Sequence, residues 1–318
     1  MSVQAFVYLA GASYPRVEKI ASRVGLLLLA AVVLGLILSR LIRVLGERSA
    51  RLGALADRSA SLPGVARVRR RYPRQVAWGL RRLDAGNPRG FRLTLTVTVG
   101  ALAVWAFAGL TQDVVGHDET ALFDPSVTAF VVAHRAGWLS SAMQTLTWLG
   151  STVVIVPLLA LLVTVLVARR RDWRRASQLA IAVIGSVATY DVIKPVVGRL
   201  RPPSDLSIGH YTGAAFPSGH AAATIAFCGM VSLALPASRS WRIRAAMLSG
   251  AVLVTLLVGT SRVYLGAHWL TDVLAGYALG AAWVALALAV SLLTTAEGGG
   301  GLSTGTDDEV AHVRWPGG

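Results

Sequence analysis

Apolar residues in this chain gather into long blocks with almost no charge inside them. A helix that is apolar all round can be satisfied only inside a large core or inside lipid. Crossing a bilayer takes about 20 such residues, and most blocks here approach that length. The first is VGLLLLAAVVLGLILS (24–39), flanked by Arg40 and Arg43, which can snorkel to an interface. Six more follow: LTLTVTVGALAVWAFAGL (93–110), WLGSTVVIVPLLALLVTVLVA (148–168), LAIAVIGSVATYDVIK (179–194), AAATIAFCGMVSLALP (221–236), AAMLSGAVLVTLLVGTS (245–261) and DVLAGYALGAAWVALALAVSLL (272–293). Composition agrees, with 54% apolar and only 15% charged residues, against about 25% charged in soluble domains. The expectation is an all-α, polytopic membrane protein: a six-helix transmembrane core plus one additional N-terminal helix.

The blocks divide the chain. Residues 1–43 form an N-terminal segment and anchor helix, 44–92 a basic cytoplasmic linker, 93–294 the helical core and 295–318 a glycine-rich polar tail. The anchor does not read as a cleaved leader, because Glu18 and about twenty residues precede it and no A-x-A site follows. Cys228 is the single cysteine, which excludes an internal disulfide and a CxxC metal site.

The net charge of +15 raises the question of nucleic acid, but its distribution argues against such a partner. Arginine is concentrated in the linker and in short loops between apolar blocks, as expected of cytoplasmic loops. The linker reads first as a topology determinant and solvated connection, and second as a segment that anionic lipid headgroups attract, at about 1 kcal/mol per basic residue near the surface. Arg89 and Arg92, then Arg169, Arg170, Arg171, Arg174 and Arg175, then Arg239, Arg242 and Arg244, mark three loops as cytoplasmic. The segment 111–147 carries Asp113, Asp118, Glu119 and Asp124 against Arg135 alone. By alternation, 195–220 and 262–271 then fall on the outer side.

Those two outer connections hold the polar interruptions. Lys194 precedes Arg201-Pro202 in KPVVGRLRP; Ser218, Gly219 and His220 open a helix in PSGH; Arg262, His268 and Asp272 stand in SRVYLGAHWLTD. Lysine occurs only at Lys19 and Lys194. Ionisable groups at membrane boundaries are costly and point to function. Three fixed cations suit a phosphate, the arginines bidentately. A glycine at a helix start lets backbone N–H groups approach an anion. His268 and Asp272, four apart, share a helix face, so the carboxylate can hold one imidazole nitrogen and leave the other as a nucleophile. His220 can then protonate a leaving oxygen. Arg199 reads as a span-end arginine that can add charge, and His117, His134, His210 and His312 as loop or tail residues.

Spaced as they are, KxxxxxxRP, PSGH and SRxxxxxHxxxD resemble the three-part signature of the type 2 phosphatidic acid phosphatase (PAP2) superfamily, over roughly 148–293. The resemblance implies a membrane lipid phosphatase, similar to the undecaprenyl-diphosphatase branch, that needs no metal or other cofactor. His268 would form a phosphohistidine, Asp272 would orient it, and His220 would act as general acid. Lys194, Arg201, Arg262, Ser218 and the Gly219 backbone would hold the phosphoryl oxygens. The expected substrate is undecaprenyl diphosphate, with phosphatidic acid or phosphatidylglycerophosphate second. The expected place is the plasma (inner) membrane, with the site extracytoplasmic. A lipid phosphotransferase would use the same groups, and a haloperoxidase of the same anion site is disfavoured by the spans. A transporter has no need of the His-Asp pair.

Overall fold

The computed structural model describes residues 70–73, 88–116, 119–233 and 240–297. Among the described residues the regular elements are all helical. They are α1 (Pro88–Gly116), α2 (Glu119–Leu122), α3 (Asp124–Ala133), α4 (Gly137–Thr147), α5 (Thr152–Ala168), α6 (Trp173–Val197), α7 (Gly219–Leu233), α8 (Trp241–Tyr264) and α9 (Leu270–Glu297), with 3₁₀ turns at Trp148–Gly150 and Ser204–Leu206. All six expected core blocks are helical, as α1 and α5 to α9. The N-terminal helix, nearly all of the basic linker and the tail beyond 297 lie outside the described residues, while α9 runs through 295–297 of the expected tail.

Among the described residues four helices, within α1, α6, α8 and α9, are long and apolar enough to cross a membrane, or five if the bent pair Gly137–Gly150 and Thr152–Ala168 forms one span. The block at 148–168 is built differently from a straight span. It begins as a 3₁₀ turn, and the helix proper starts at Thr152, bent 40° from the preceding Gly137–Gly150. Large apolar side chains such as Leu102, Trp105, Val153, Leu161 and Ile184 face outward, as lipid-facing positions do.

At the centre stands α7, short and rich in alanine. Ala221, Ala222, Ala223 and Ala226 are buried, and α5, α6, α8 and α9 surround it. In lipid, helices gain little from apolarity alone, so small residues that let backbones close up supply the packing. Gly276 and Gly280 of α9 do so: a Cβ on Gly276 would come within 2.5 Å of the Ser218 carbonyl oxygen, and one on Gly280 within 2.5 Å of the Ala222 oxygen. The chain thereby seats PSGH directly against the start of α9.

Helix ends place the polar motifs at one end of the bundle. Asp172 caps α6, accepting from the Arg175 N–H at 3.1 Å. At its other end Gly198 turns left-handed (φ 61°) and its N–H reaches the Lys194 carbonyl at 2.9 Å. Past α8, Gly266 (φ 71°) lets the α6–α7 and α8–α9 connections touch: Ile208 N–H donates to the Leu265 oxygen at 2.8 Å, and Ser207 Oγ to the Gly266 oxygen at 2.8 Å. The segment α3–α4 wraps this same end. Arg135 donates from Nε and Nη2 to the Tyr264 carbonyl at 3.0 and 2.6 Å.

Candidate active site

Lys194 sits one turn from the end of α6, its Nζ 5.4 Å from the centre of the Tyr190 ring. Gly219 lies against the same ring; a Cβ there would stand 3.0 Å from Tyr190 Cζ. The first motif and the start of α7 therefore share the Tyr190 ring as a neighbour. Ser218 follows the same logic. Its N–H donates to the Asp272 backbone oxygen at 2.9 Å, while its fully buried Oγ has no hydrogen-bond partner among the described residues.

Arg201 fastens the loops around it. Nε donates to the carbonyls of Gly213 (3.0 Å) and Thr212 (3.2 Å), Nη1 to Ala267 (2.6 Å), and Nη2 lies 3.4 Å from Ala214. With five N–H groups, the guanidinium keeps hydrogens on both Nη atoms for another acceptor, and Nη1 already lies 3.4 Å from His268 Nε2. Burial lowers the Arg201 pKa, with Asp272 opposing. Arg262 is buried, donates from Nη1 to Thr147 Oγ1 at 2.9 Å and leaves Nε without a partner among the described residues. The Tyr211 ring stands beside both arginines, 5.0 Å from Arg262 Cζ and 5.9 Å from Arg201 Cζ.

His268 and Asp272 are both buried, at 2% and 0% exposure, with His268 Nδ1 3.5 Å from Asp272 Oδ2. That distance is an ion-pair contact slightly too long for a hydrogen bond, and Nδ1 has no hydrogen-bond partner among the described residues. Catalytic hydrogen bonds are often long without substrate. Burial, reinforced by Arg262, Arg201 and Lys194 and opposed by a backbone bond with Ala215, holds the His268 pKa well below its ordinary value. The ring is therefore neutral near pH 7. With the carboxylate at Nδ1 and a guanidinium at Nε2, the proton is assigned to Nδ1, leaving the Nε2 lone pair directed at Arg201. His220, the second residue of α7, feels Arg262, His268, Lys194 and Arg201 together.

All eight residues singled out in the sequence thus meet at one end of the bundle, opposite the arginines of the α5–α6 connection and the start of α8. Two further ionisable residues belong to the cluster. Arg199 donates from Nη1 to Asp272 Oδ1 at 2.5 Å and from Nη2 to Asp124 Oδ2 at 2.7 Å. Asp124 is buried and accepts from the Thr271 N–H at 3.0 Å; burial raises its pKa, with Thr271 and Arg199 opposing. In sequence Asp124 is one acidic residue of an outer loop and Arg199 a span-end arginine; only GRLRP, with a second arginine two before Arg201, hinted at more. A groove of about 430 Å³ beside Arg199 and Asp124, lined also by Val114, Val197, Leu200 and Trp269, includes none of the eight.

Comparisons with known proteins agree with this geometry. The family model described as the PAP2 superfamily matches residues 175–295. Phosphatidylglycerophosphatase B of Bacillus subtilis is 30% identical over 162 residues, which cover 49% of this chain and 77% of that protein. An undecaprenyl-diphosphatase of Sulfolobus acidocaldarius is 30% identical over 186 residues, covering 57% and 84%. The crystal structure of a transmembrane PAP2 type phosphatidylglycerolphosphate phosphatase from Bacillus subtilis superposes with a TM-score of 0.51 at 25% identity, over 61% of this chain and 94% of that one. With two relatives matched over more than three quarters of their length, and the signature residues gathered in one cluster, the chain belongs to the PAP2 superfamily.

Proposed function

We propose that this membrane phosphatase hydrolyses the phosphate of a lipid at the extracytoplasmic leaflet, through a phosphohistidine on His268, and that undecaprenyl diphosphate is its substrate. The observation that carries the mechanism is the setting of His268: buried and neutral, with Asp272 at Nδ1 and the Arg201 guanidinium at Nε2. Nε2 attacks phosphorus in line, and the bond from phosphorus to the leaving oxygen breaks. His220 supplies the proton to that oxygen; the bound phosphate brings the negative charge that an imidazolium among cations needs. Water then attacks the phosphohistidine, His220 takes its proton, and inorganic phosphate leaves. Lys194, Arg262, the free hydrogens of Arg201, Ser218 Oγ and the N–H groups at the start of α7 hold the phosphoryl oxygens as charge spreads. Asp272 keeps the ring in the required tautomer.

The outward orientation is supported by charge. The site end carries Arg135 as its extra loop arginine, while Arg169, Arg170, Arg171, Arg174, Arg175, Arg242 and Arg244 crowd the other end, which the positive-inside rule makes cytoplasmic. The location proposed with it is the plasma membrane. The name of the Sulfolobus relative favours undecaprenyl diphosphate, and that of the Bacillus relative favours phosphatidylglycerophosphate as a second substrate.

Phosphate release from undecaprenyl diphosphate, phosphatidylglycerophosphate and phosphatidic acid, by purified protein with EDTA present, tests the proposal. Undecaprenyl diphosphate should give the highest kcat/KM, and His268→Ala should abolish release from every lipid. Preference for another lipid overturns the substrate assignment. Release by His268→Ala at the parental rate overturns the mechanism, and transfer of the phosphate to an added alcohol in place of water makes the protein a phosphotransferase.

A further inference from the structure

We infer that Asp124 and Arg199 are positioning residues for the reaction: they hold the Asp272 carboxylate so that one of its oxygens is kept for His268. The inference rests on the roles given above to His268 and Asp272. A guanidinium beside a carboxylate ordinarily takes both oxygens with its two parallel N–H groups. Here the fork is divided. Nη1 of Arg199 goes to Asp272 Oδ1 at 2.5 Å, and Nη2 goes to Asp124 Oδ2 at 2.7 Å. Asp272 Oδ2 is thereby left to the Trp269 N–H at 2.9 Å and to His268 Nδ1 at 3.5 Å.

Asp124 is itself over-determined. It takes the Thr271 N–H on Oδ1 and the Thr271 hydroxyl on Oδ2, and Arg199 Nη1 also reaches that hydroxyl at 2.6 Å. Thr271 precedes Asp272 in the first turn of α9, so a carboxylate from α3 caps the helix whose start carries the orienting aspartate. The Arg199 guanidinium is also placed over the Trp269 ring, 5.8 Å from its centre. Without Asp124, Arg199 Nη2 loses its carboxylate acceptor, and the fork can turn toward both Asp272 oxygens, where it would compete with the imidazole. Asp124 lies upstream of the region matched by the family model, which begins at 175.

A carboxylate that only capped α9 would affect stability and leave turnover alone. Steady-state kinetics of the full-length chain on the best lipid of the panel, with thermal unfolding as a fold check, separates the two. Asp124→Asn should lower kcat roughly tenfold or more with KM little changed, the scale seen when an outer partner that orients a reacting group is removed. Arg199→Lys, which keeps the charge and loses the fork, should behave alike and decides the matter if Asp124→Asn does not fold. In an Asp272→Asn background, adding Asp124→Asn should change turnover by less than about threefold, because the residue it acts through is already disabled. Parental kcat in folded Asp124→Asn or Arg199→Lys, or full multiplication of the two losses in the double variant, overturns the inference. Parental kcat in Asp272→Asn alone overturns instead the role assigned to that carboxylate under the proposed function.

Discussion

Arg201 Nη1 donates to the carbonyl oxygen of Ala267 at 2.6 Å, the residue immediately before His268. A side chain from one signature motif thus holds the backbone that presents the proposed nucleophile of another, with its remaining Nη hydrogens directed, under the same proposal, to the substrate phosphate. Arg201→Lys retains one positive charge but cannot span Gly213, Ala267 and a phosphoryl oxygen at once. Two lost charge-assisted hydrogen bonds at about 1.5–3 kcal/mol each correspond to a fall in kcat/KM of roughly a hundredfold or more. Initial rates on the preferred lipid measure this, with a lowered unfolding temperature expected alongside.

The depressed pKa of His268 predicts a pH profile. Burial and the cations Arg262, Arg201 and Lys194 keep the ring uncharged below its ordinary value of 6.5. The acid limb of kcat/KM, which reports the free enzyme, should therefore not show His268 titrating near 6.5 and should fall only at lower pH. Stability moves in the opposite sense to a salt-bridged histidine. Below 6.5 the unfolded chain binds a proton that folded His268 refuses, so its stability contribution is intact above that value and declines as pH drops. Rates and unfolding temperatures between pH 4 and 8 check both halves.

Sidedness can be read with cysteines in a Cys228→Ala background. Asp205 is exposed in the α6–α7 connection and Arg170 is exposed between α5 and α6; Asp172 is avoided because it caps α6. In intact cells an impermeant thiol reagent should label Asp205→Cys and spare Arg170→Cys. The reverse pattern inverts the proposed topology.

Gly276→Ala tests the seating of PSGH. The added methyl would stand 2.5 Å from the Ser218 oxygen and 2.9 Å from Ala221 Cβ, against backbone that cannot swing aside. Overpacking of this kind costs about 1–3 kcal/mol. Because the displaced segment carries Ser218 and His220, kcat should fall together with the unfolding temperature in detergent.

The three motifs were legible because each places ionisable or turn-forming residues where a run of leucine and valine would otherwise continue, and loop arginines put all three at one end of the bundle. The Asp124–Arg199 link was not legible. Its partners, Thr271 and Asp272, are far away in sequence and have no local periodicity joining them to α3, so Asp124 resembled any loop acid. The bend before Thr152 escaped notice for a similar reason. WLGS keeps the hydropathy of a span while Gly150 is pressed against Val258 and Thr224, a contact made only in the folded bundle. Tyr211 was hidden in a connection with no regular pattern, and its place beside two arginines follows from the clasp between Ile208 and Leu265.

The whole cluster hangs from helix termini at a single rim of the bundle. A phosphate carried on a lipid can enter it while the hydrocarbon chain stays among its neighbours, so encounter becomes a search across a plane. Turnover should then follow the mole fraction of substrate in the vesicle or micelle, and diluting the suspension at fixed surface composition should leave the rate per enzyme unchanged.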